Sequence, residues 1–301
     1  MHVAVTGSSG RLGRALVAAL RAASPRGLDE PVPWTRADFD LDAPDGVEEL
    51  LETSGVELVV HAAAWTDVDA CARDPDLAMR RNAGATAALA RACAARGIDL
   101  VLISTNEVFD GTRSGGGYLP VDPPAPANPY GASKLAAERA ATDAYGAREA
   151  RGVLGIVRTA WLFGPGKPDF PTKIVAAAEK AAALGEPVGV VGDEIGTPSY
   201  TPDVAEGLVG LIRSRAVGGI HHVVNAGIVS RAGWARDVLD RVGLDVPVVE
   251  VPLAEFPRPS RPPRWGVLAA TPLPSGQVLR DWPEAMSDYA ATLRRAVGTR
   301  Q

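Results

Sequence analysis

Tyr130 and Lys134 are the two residues of this sequence whose types and spacing point most directly to chemistry. They lie four positions apart in the run NPYGASK, residues 128–134, which reads as the start of a helix. On a helix, this spacing places both side chains on one face. A nearby ammonium favours the ionised phenol, so we expect the pKa of Tyr130 to fall below its ordinary value of about 10. Such a pair suits proton transfer during carbonyl reduction, the alternative being an ordinary helix-start tyrosine beside a solvated lysine.

A glycine-rich loop follows the first strand-like run. Residues 6–13 read TGSSGRLG, with Gly7, Gly10 and Gly13 in a GxxGxxG spacing that leads into a helical pattern. Gly7 permits a tight turn, Gly10 lets the backbone approach a pyrophosphate, and Gly13 lets the helix pack on the strand. Free N–H groups at the helix start would face the anion. We therefore predict a dinucleotide site here, which also includes Arg11 and Leu12.

The end of the second strand-like run bears on which nucleotide binds. It reads Trp34-Thr35-Arg36 and offers no carboxylate for a ribose 2′-hydroxyl, and Asp38 comes too late. An arginine in this place can pair with a 2′-phosphate instead. We predict NADPH as the cofactor, with NADH as the alternative if Arg36 is an ordinary surface residue of a turn.

Short apolar runs alternate with helical stretches along the first half of the chain. Strand-like runs occupy residues 2–6, 32–35, 58–62, 100–104 and 154–161, whereas residues 12–20 and 83–95 have helical patterns. This order predicts an α/β fold with a Rossmann-like, doubly wound parallel sheet covered on both faces.

The second half of the chain has a looser pattern, rich in proline and glycine. Residues 188–191 and 220–224 are candidate late strands, and the second of them could return to the main sheet. We predict an NAD(P)-binding Rossmann domain over residues 1–165 with a return segment at 192–228. Residues 166–191 and 229–301 would form a smaller substrate-binding lobe.

Length, composition and charge exclude several classes of protein. The chain has 301 residues, of which 46% are hydrophobic and 22% charged, as in an ordinary globular protein. Its net charge is −5, and its basic residues form no stripe that would favour nucleic-acid binding. We find neither a signal peptide nor a membrane-spanning segment. Cys71 and Cys93 lack CxxC spacing and the four histidines are scattered, so we expect buried thiols, no metal site and a cytoplasmic location.

Six segments of the chain match a known family. They are TGSSGRLG, residues 61–82 (HAAAWTDVDACARDPDLAMRRN), STNEVFDG from Ser104, PYGASK, RTAWLFGPG from Arg158 and GTPSYTPDVAE from Gly196. With them the sequence resembles the extended short-chain dehydrogenases/reductases, and most of all the dTDP-4-dehydrorhamnose reductase family of 4-keto-6-deoxysugar nucleotide reductases. The resemblance covers nearly the whole chain.

The resemblance implies roles for the matching positions. Tyr130 would donate the proton, Lys134 would hold the nicotinamide ribose, and Thr105 would hydrogen-bond the reacting carbonyl oxygen. Val68 and Trp161 would line the sugar pocket, and Asn82 would have a supporting role. The remaining cofactor contacts would come from Asp40 and Leu41 near the adenine and from Ala63, Ala64, Trp65, Thr66 and Ser104 along the dinucleotide.

Two residues depart from the family pattern Ser-Thr-Asp-Tyr-Val-Phe. Asn106 replaces the aspartate and Glu107 replaces the tyrosine. Sugar-nucleotide 4,6-dehydratases have a similar Thr-Asp-Glu, whose aspartate acts as acid and whose glutamate acts as base. An amide cannot act as that acid, so the dehydratase pair is incomplete. We place Asn106 and Glu107 in the substrate pocket, where Glu107 would bind a sugar hydroxyl, or face solvent.

A second departure lies in residues 258–265, which read RPSRPPRW. Relatives share the Arg-Pro but then have small polar residues in place of Arg264 and Trp265. Arg261 is a candidate clamp for the substrate diphosphate, because a planar guanidinium suits bidentate phosphate contact. A solvated charge cluster is the alternative.

We therefore predict NAD(P)H-dependent reduction of the C4 ketone of a nucleotide-linked 4-keto-6-deoxyhexose, with dTDP as the expected nucleotide, in deoxysugar biosynthesis. A dehydratase or epimerase that retains NAD is one alternative. Another is a non-catalytic nucleotide-binding subunit, as in the regulatory subunit of a methionine adenosyltransferase that resembles these reductases. Such reductases are often homodimers, some with magnesium at the interface, and the sequence decides neither feature.

Overall fold

The computed structural model describes residues 1–24 and 27–298; residues 299–301 of the predicted lobe lie outside the described part. Its strands are β1 (Val3–Thr6), β2 (Val32–Trp34), β3 (Leu58–His61), β4 (Asp99–Thr105), β5 (Leu154–Thr159), β6 (Leu162–Phe163), β7 (Val188–Val191), β8 (Ile195–Gly196), β9 (Ser199–Tyr200), β10 (Gly219–His222), β11 (Asn225–Ala226), β12 (Val229–Ser230), β13 (Val248–Val251) and β14 (Leu279–Asp281). The strand-like runs seen in the sequence agree with these bounds to within two residues.

Helices cover most of the remaining chain. They are α1 (Arg11–Ala23), α2 (Val47–Ser54), α3 (Val68–Arg73), α4 (Pro75–Ala78), α5 (Ala85–Arg96), α6 (Pro129–Gly146), α7 (Phe170–Leu184), α8 (Thr201–Arg213), α9 (Arg231–Val242) and α10 (Trp282–Gly298). Short 3₁₀ turns occupy Pro44–Gly46, Asn106–Val108 and Leu253–Glu255, and a π-helical turn occupies Met79–Gly84. No helix among these described elements is both long and apolar enough to cross a bilayer.

Six strands form one parallel sheet in the order β2-β1-β3-β4-β5-β10. β1 lies between β2 and β3, so the chain winds away from β1 in both directions and leaves a crevice at the carboxyl ends of these strands. β10 pairs with β5, which confirms the return of this late strand to the main sheet. The predicted α/β fold is confirmed.

Helices cover both faces of this sheet. Val3 and Val5 point into a core that includes residues of α1 and α8, whereas Ala4 points into a core built with α2, α5 and α6. β1 is apolar on both sides because each of its faces is covered. The continuous apolar runs of the sequence are thus explained by burial on two faces.

A third hydrophobic core lies beyond the sheet. α7, α9, α10, β7 and β13 contribute to it, and Trp234 on α9 is its largest fully buried side chain. β13 pairs with β7 in a separate parallel pair. These elements fall within the segments assigned to the substrate-binding lobe, and the division of the chain into two domains stays a prediction.

Candidate active site

A cleft of about 710 Å³ opens at the carboxyl ends of β1 to β5. This is the edge of a parallel sheet at which loops converge and ligands bind. The cleft is lined by every candidate site residue that the sequence indicated except Arg261, namely Gly7, Gly10, Arg11, Leu12, Gly13, Arg36, Asp40, Leu41, Ala63, Ala64, Trp65, Thr66, Val68, Ser104, Thr105, Asn106, Glu107, Tyr130, Lys134 and Trp161.

The glycine loop has the geometry of an anion cradle. Gly7 has a φ of +63°, and a Cβ there would lie 2.7 Å from the Ala63 backbone nitrogen. A Cβ on Gly13 would overlap the Gly7 carbonyl oxygen, so only glycine lets α1 approach the loop this closely. α1 begins without a side-chain cap, and the buried Arg11 Nε has no hydrogen-bond partner among the described residues. These features fit a dinucleotide pyrophosphate.

We expect Gly13→Ala to destabilise the loop by about 1–3 kcal/mol and to weaken NADPH binding, because the new methyl group displaces the Gly7 carbonyl. Thermal unfolding and NADPH fluorescence titration measure the two effects. Gly210→Ala is the matched control, since nothing surrounds a Cβ at that position of α8 and alanine there favours the helix. Equal stability and equal NADPH affinity of the two variants would contradict the close packing of α1 on the glycine loop.

The end of the cleft beside Arg36 carries a network of opposite charges. Arg36 pairs with Asp40 at 3.2 Å and with Asp42 at 2.9 Å, and Arg81 reaches Asp42 at 2.6 Å. The Arg81 hydrogen bond holds the pKa of Asp42 below its ordinary value. The Asp38 carboxylate accepts hydrogen bonds from the backbone N–H and the hydroxyl group of Thr35, within the turn that follows β2. Arg36 and Arg81 thus both line this end of the cleft, and the sequence had indicated only the first.

The loop after β3 is held by Asn82. The Asn82 side chain accepts from the Trp65 backbone N–H at 2.7 Å and donates to the Trp65 carbonyl at 3.1 Å and to Ser133 Oγ at 2.9 Å. It lies in the π-helical turn, a conformation often found at functional sites. Asn82 therefore ties the loop after β3 to α6, and its supporting role at the site stays a prediction.

Tyr130 and Thr105 meet at the centre of the cleft. Asn128 caps α6 by accepting from the Gly131 N–H at 2.8 Å, which fixes the helix start that carries Tyr130. Thr105, at the end of β4, lies close enough to the Tyr130 phenol to oppose the rise in its pKa, and its own hydroxyl donates to Asn106 Oδ1 at 3.3 Å. Two hydroxyl groups are thus available to one ligand oxygen.

The expected lowering of the Tyr130 pKa is wrong. Burial raises the pKa of the phenol above its ordinary value, and the nearby charge of Glu107 raises it further. Desolvation disfavours the phenolate more than neighbouring groups stabilise it. Tyr130 is therefore protonated at neutral pH, which is the form that donates a proton.

Lys134 lies one turn beyond Tyr130 and is almost fully buried. Burial lowers its pKa to about 8, and the negative charge of Glu138 opposes this shift. Burial and the Lys134 charge lower the pKa of the neighbouring His61 to about 3, so that imidazole stays neutral. Lys134 therefore carries its charge at neutral pH and loses it in mildly alkaline solution.

We expect kcat/KM for ketone reduction to fall as the pH rises through about 8, because the Lys134 side chain is mostly charged only below its pKa. Initial rates from about pH 6 to about pH 10 at constant ionic strength measure this limb. Glu138→Gln should move the limb to lower pH, since it removes the carboxylate that raises the Lys134 pKa. If the fall in kcat/KM occurred at the same pH in Glu138→Gln and wild type, Lys134 would not be the group whose titration causes it.

The Ser104 hydroxyl forms a hydrogen bond within the protein, and the cofactor contact expected of Ser104 stays a prediction. Its hydroxyl donates to Glu138 Oε1, and Glu138 also binds Arg158 through contacts of 3.0 and 2.7 Å. Glu138 and Arg158 are only 3% and 2% exposed. Together with Ser104, this buried ion pair joins α6 to β4 and β5. Ser104 therefore lines the cleft, while its hydroxyl group helps to hold these elements together.

Trp161 forms one wall of the cleft and is tightly held. Its backbone has a φ of +42°, a conformation uncommon outside glycine. The Arg231 guanidinium lies 3.5 Å from the centroid of its ring, and a Cβ on Gly196 would lie 2.5 Å from the ring. Glu194 holds Arg231 at 3.0 Å. Sequence reasoning missed this pair because 37 residues separate its members and neither lies in a motif.

The structure places Arg261 in a neighbouring cavity of about 970 Å³. Three other arginines line it, and each is paired with an aspartate: Arg113 with Asp122, Arg258 with Asp69 and Arg264 with Asp193. Arg261 is exposed and makes no ion pair with any residue in the described ranges. Its backbone carbonyl accepts from Asn128 Nδ2 at 3.2 Å, which brings the two cavities together at the start of α6.

The two cysteine side chains are not among the residues that line the cleft. Cys71 and Cys93 are free and buried, and burial raises their pKa values to about 11 and about 12. Within residues 1–24 and 27–298 no group of three or more His, Cys, Asp or Glu side chains is arranged to hold a metal ion.

The family described as RmlD substrate binding domain matches residues 1–295. The chain belongs to this family. It is 36% identical to a dTDP-4-dehydrorhamnose reductase of Mycobacterium tuberculosis over 96% of this chain and 92% of that protein. It is 37% identical to a dTDP-4-keto-6-deoxy-D-glucose reductase of Streptomyces niveus over 80% and 78% of the two chains. The structure of a Bacillus anthracis dTDP-4-dehydrorhamnose reductase in complex with NADP is 29% identical, with a TM-score of 0.86 over 97% of this chain and 99% of that chain.

Proposed function

We propose that this member of the RmlD family reduces the C4 ketone of a nucleotide-linked 4-keto-6-deoxyhexose, with NADPH as the preferred reductant. The observation that carries the proposal is the meeting of Thr105, Tyr130 and Lys134 in the cleft that the glycine loop enters. The names of its relatives supply the substrate class, dTDP-linked ketosugars.

The residues of the cleft divide the chemistry between them. When bound, the reduced nicotinamide supplies a hydride to the ketone carbon. Thr105 and Tyr130 donate hydrogen bonds to the ketone oxygen, on which negative charge develops, and Tyr130 gives up its proton to it. The Lys134 ammonium lies four residues beyond the phenol on the same helix, where a positive charge would stabilise the phenolate left behind.

The sugar and its diphosphate have separate contacts. Val68 packs beside Tyr130 and Trp161 lines the same cleft, and their apolar surfaces suit a deoxygenated carbon of the hexose. Arg261, unpaired among the described residues, is the cation in the adjoining cavity that can bind a phosphate oxygen. Arg36 and Arg81 favour NADPH over NADH, because each can pair with a 2′-phosphate at the other end of the cleft.

An assay of cofactor oxidation tests the proposal. Purified protein is mixed with NADPH or NADH and a panel of nucleotide-linked ketosugars, and the loss of absorbance of the reduced cofactor is followed. We expect NADPH consumption with dTDP-linked 4-keto-6-deoxyhexoses and none without a ketosugar. If both reduced cofactors stay untouched across the panel, the proposal is wrong.

The presence of Glu107 in the cleft is the observation that favours a second candidate function, that of a dehydratase or epimerase. A dehydratase or epimerase would regenerate its cofactor, so NAD retained through purification and product formation without net cofactor oxidation would favour that class. Asn106 opposes dehydration, because its amide cannot protonate a leaving hydroxyl group.

A further inference from the structure

Glu107 is an ionisable side chain of the cleft that reduction leaves without a role. It lies on the turn after β4, and its backbone N–H donates to Thr105 Oγ1 at 3.2 Å. Its carboxylate Oε2 accepts from Asn128 Nδ2 at 2.6 Å, and its carbonyl packs so closely on Gly131 that a Cβ there would overlap it. The carboxylate is therefore fixed against the helix start that carries Tyr130.

Several charged groups face Glu107. Burial is the largest influence and raises its pKa to about 7; Glu194 raises it as well, whereas Asn128, Arg258 and Arg231 oppose the shift. Glu107 and Tyr130 line the same cleft, and the charge of Glu107 raises the pKa of the phenol. At neutral pH the carboxyl group exists in both forms and can take up a proton and return it.

A base beside two hydroxyl donors is the arrangement that enolisation requires. Thr105 and Tyr130 can stabilise negative charge on a ketone oxygen, and a carboxylate nearby can remove a proton from the adjoining carbon. We propose that Glu107 exchanges a proton on a carbon next to the C4 ketone of the bound sugar, so that the protein catalyses keto–enol exchange besides reduction. This inference rests on the proposed function, which supplies the ketone.

The exchange step balances without an oxidant or a reductant. The C–H bond at C3 or C5 breaks, its proton goes to a Glu107 oxygen, and its electron pair forms a C=C bond as the carbonyl π electrons move to oxygen. The resulting enolate accepts hydrogen bonds from Thr105 and Tyr130. Glu107 is half-buried and open to the cleft, so its proton exchanges with water before it returns to carbon.

Deuterium incorporation tests this inference. A dTDP-linked 4-keto-6-deoxyhexose is incubated in D₂O with the protein and oxidised NADP, which prevents net reduction, and the C3 and C5 protons are followed by NMR. We expect the wild-type protein to accelerate loss of one of these signals, and Glu107→Gln to slow that loss by about 100-fold. The wild-type rate should rise with pH through about 7, since only the carboxylate acts as the base.

Two further variants keep the test decisive. Glu107→Asp retains a carboxylate and should retain part of the exchange, and Glu52→Gln, on the exposed surface of α2, should exchange like the wild type. Thermal unfolding and NADPH titration show whether each variant is folded. Reduction without any accelerated exchange, or equal exchange in Glu107→Gln and wild type, would overturn the inference and leave the reductase intact. Absence of reduction as well would instead contradict the proposed function.

Discussion

Replacing Tyr130 by phenylalanine is expected to lower kcat for ketosugar reduction by about 10²–10⁴-fold, the usual contribution of a positioned general acid. The phenol is buried, protonated at neutral pH and close to Thr105, so its loss removes both a donor and the transferred proton. The loss should fall on kcat more than on KM, because the proton moves only in the transition state. Steady-state kinetics with saturating NADPH measure the two constants.

Tyr145→Phe is the matched control on the same helix. The Tyr145 hydroxyl donates to the Ile98 carbonyl at 2.6 Å and does not line the cleft. Its removal should cost about 0.5–1.5 kcal/mol of stability and leave turnover near the wild-type value. Similar turnover in Tyr130→Phe and wild type would remove Tyr130 from the proton path.

The largest effect on stability is expected at Glu138. Glu138→Gln leaves the Arg158 guanidinium buried without its carboxylate, and it also removes the negative charge beside Lys134. Breaking a buried ion pair from one side costs about 3–5 kcal/mol, because the remaining charge stays desolvated. Urea unfolding at neutral pH measures this as a lower midpoint with an unchanged slope.

An exposed ion pair provides the comparison for Glu138. Arg21 and Glu30 approach to 2.6 Å, but their side chains are 55% and 66% exposed. Glu30→Gln should therefore cost less than about 1 kcal/mol. If the two variants unfolded at the same urea concentration, burial would not be the source of the Glu138 contribution.

Local sequence patterns were sufficient where short-range geometry decides the structure. The glycine spacing predicted the loop because backbone approach at Gly7 and Gly13 excludes any Cβ. The four-residue spacing of Tyr130 and Lys134 likewise predicted one helix face, and both residues line the cleft. The apolar runs predicted the central strands because both faces of the sheet are covered.

Features that depend on distant parts of the chain were not readable in the sequence. Arg231, on α9, contacts Trp161 and Glu194, which are distant from it in the sequence, and Arg261 lines a cavity beside the cleft. The direction of the Tyr130 pKa shift was also wrong, because spacing reveals a neighbouring charge but not the extent of burial.

Transfer of a deuterium label tests the central claim most directly. The protein is given a dTDP-linked 4-keto-6-deoxyhexose and NADPH that carries deuterium on the transferable position of the nicotinamide, and the product is examined by NMR and mass spectrometry. We expect one deuterium atom at C4 of the product sugar, and none in product from a reaction with unlabelled NADPH. A product without deuterium at C4, or a ketosugar recovered unchanged beside intact NADPH, would contradict reduction at this site.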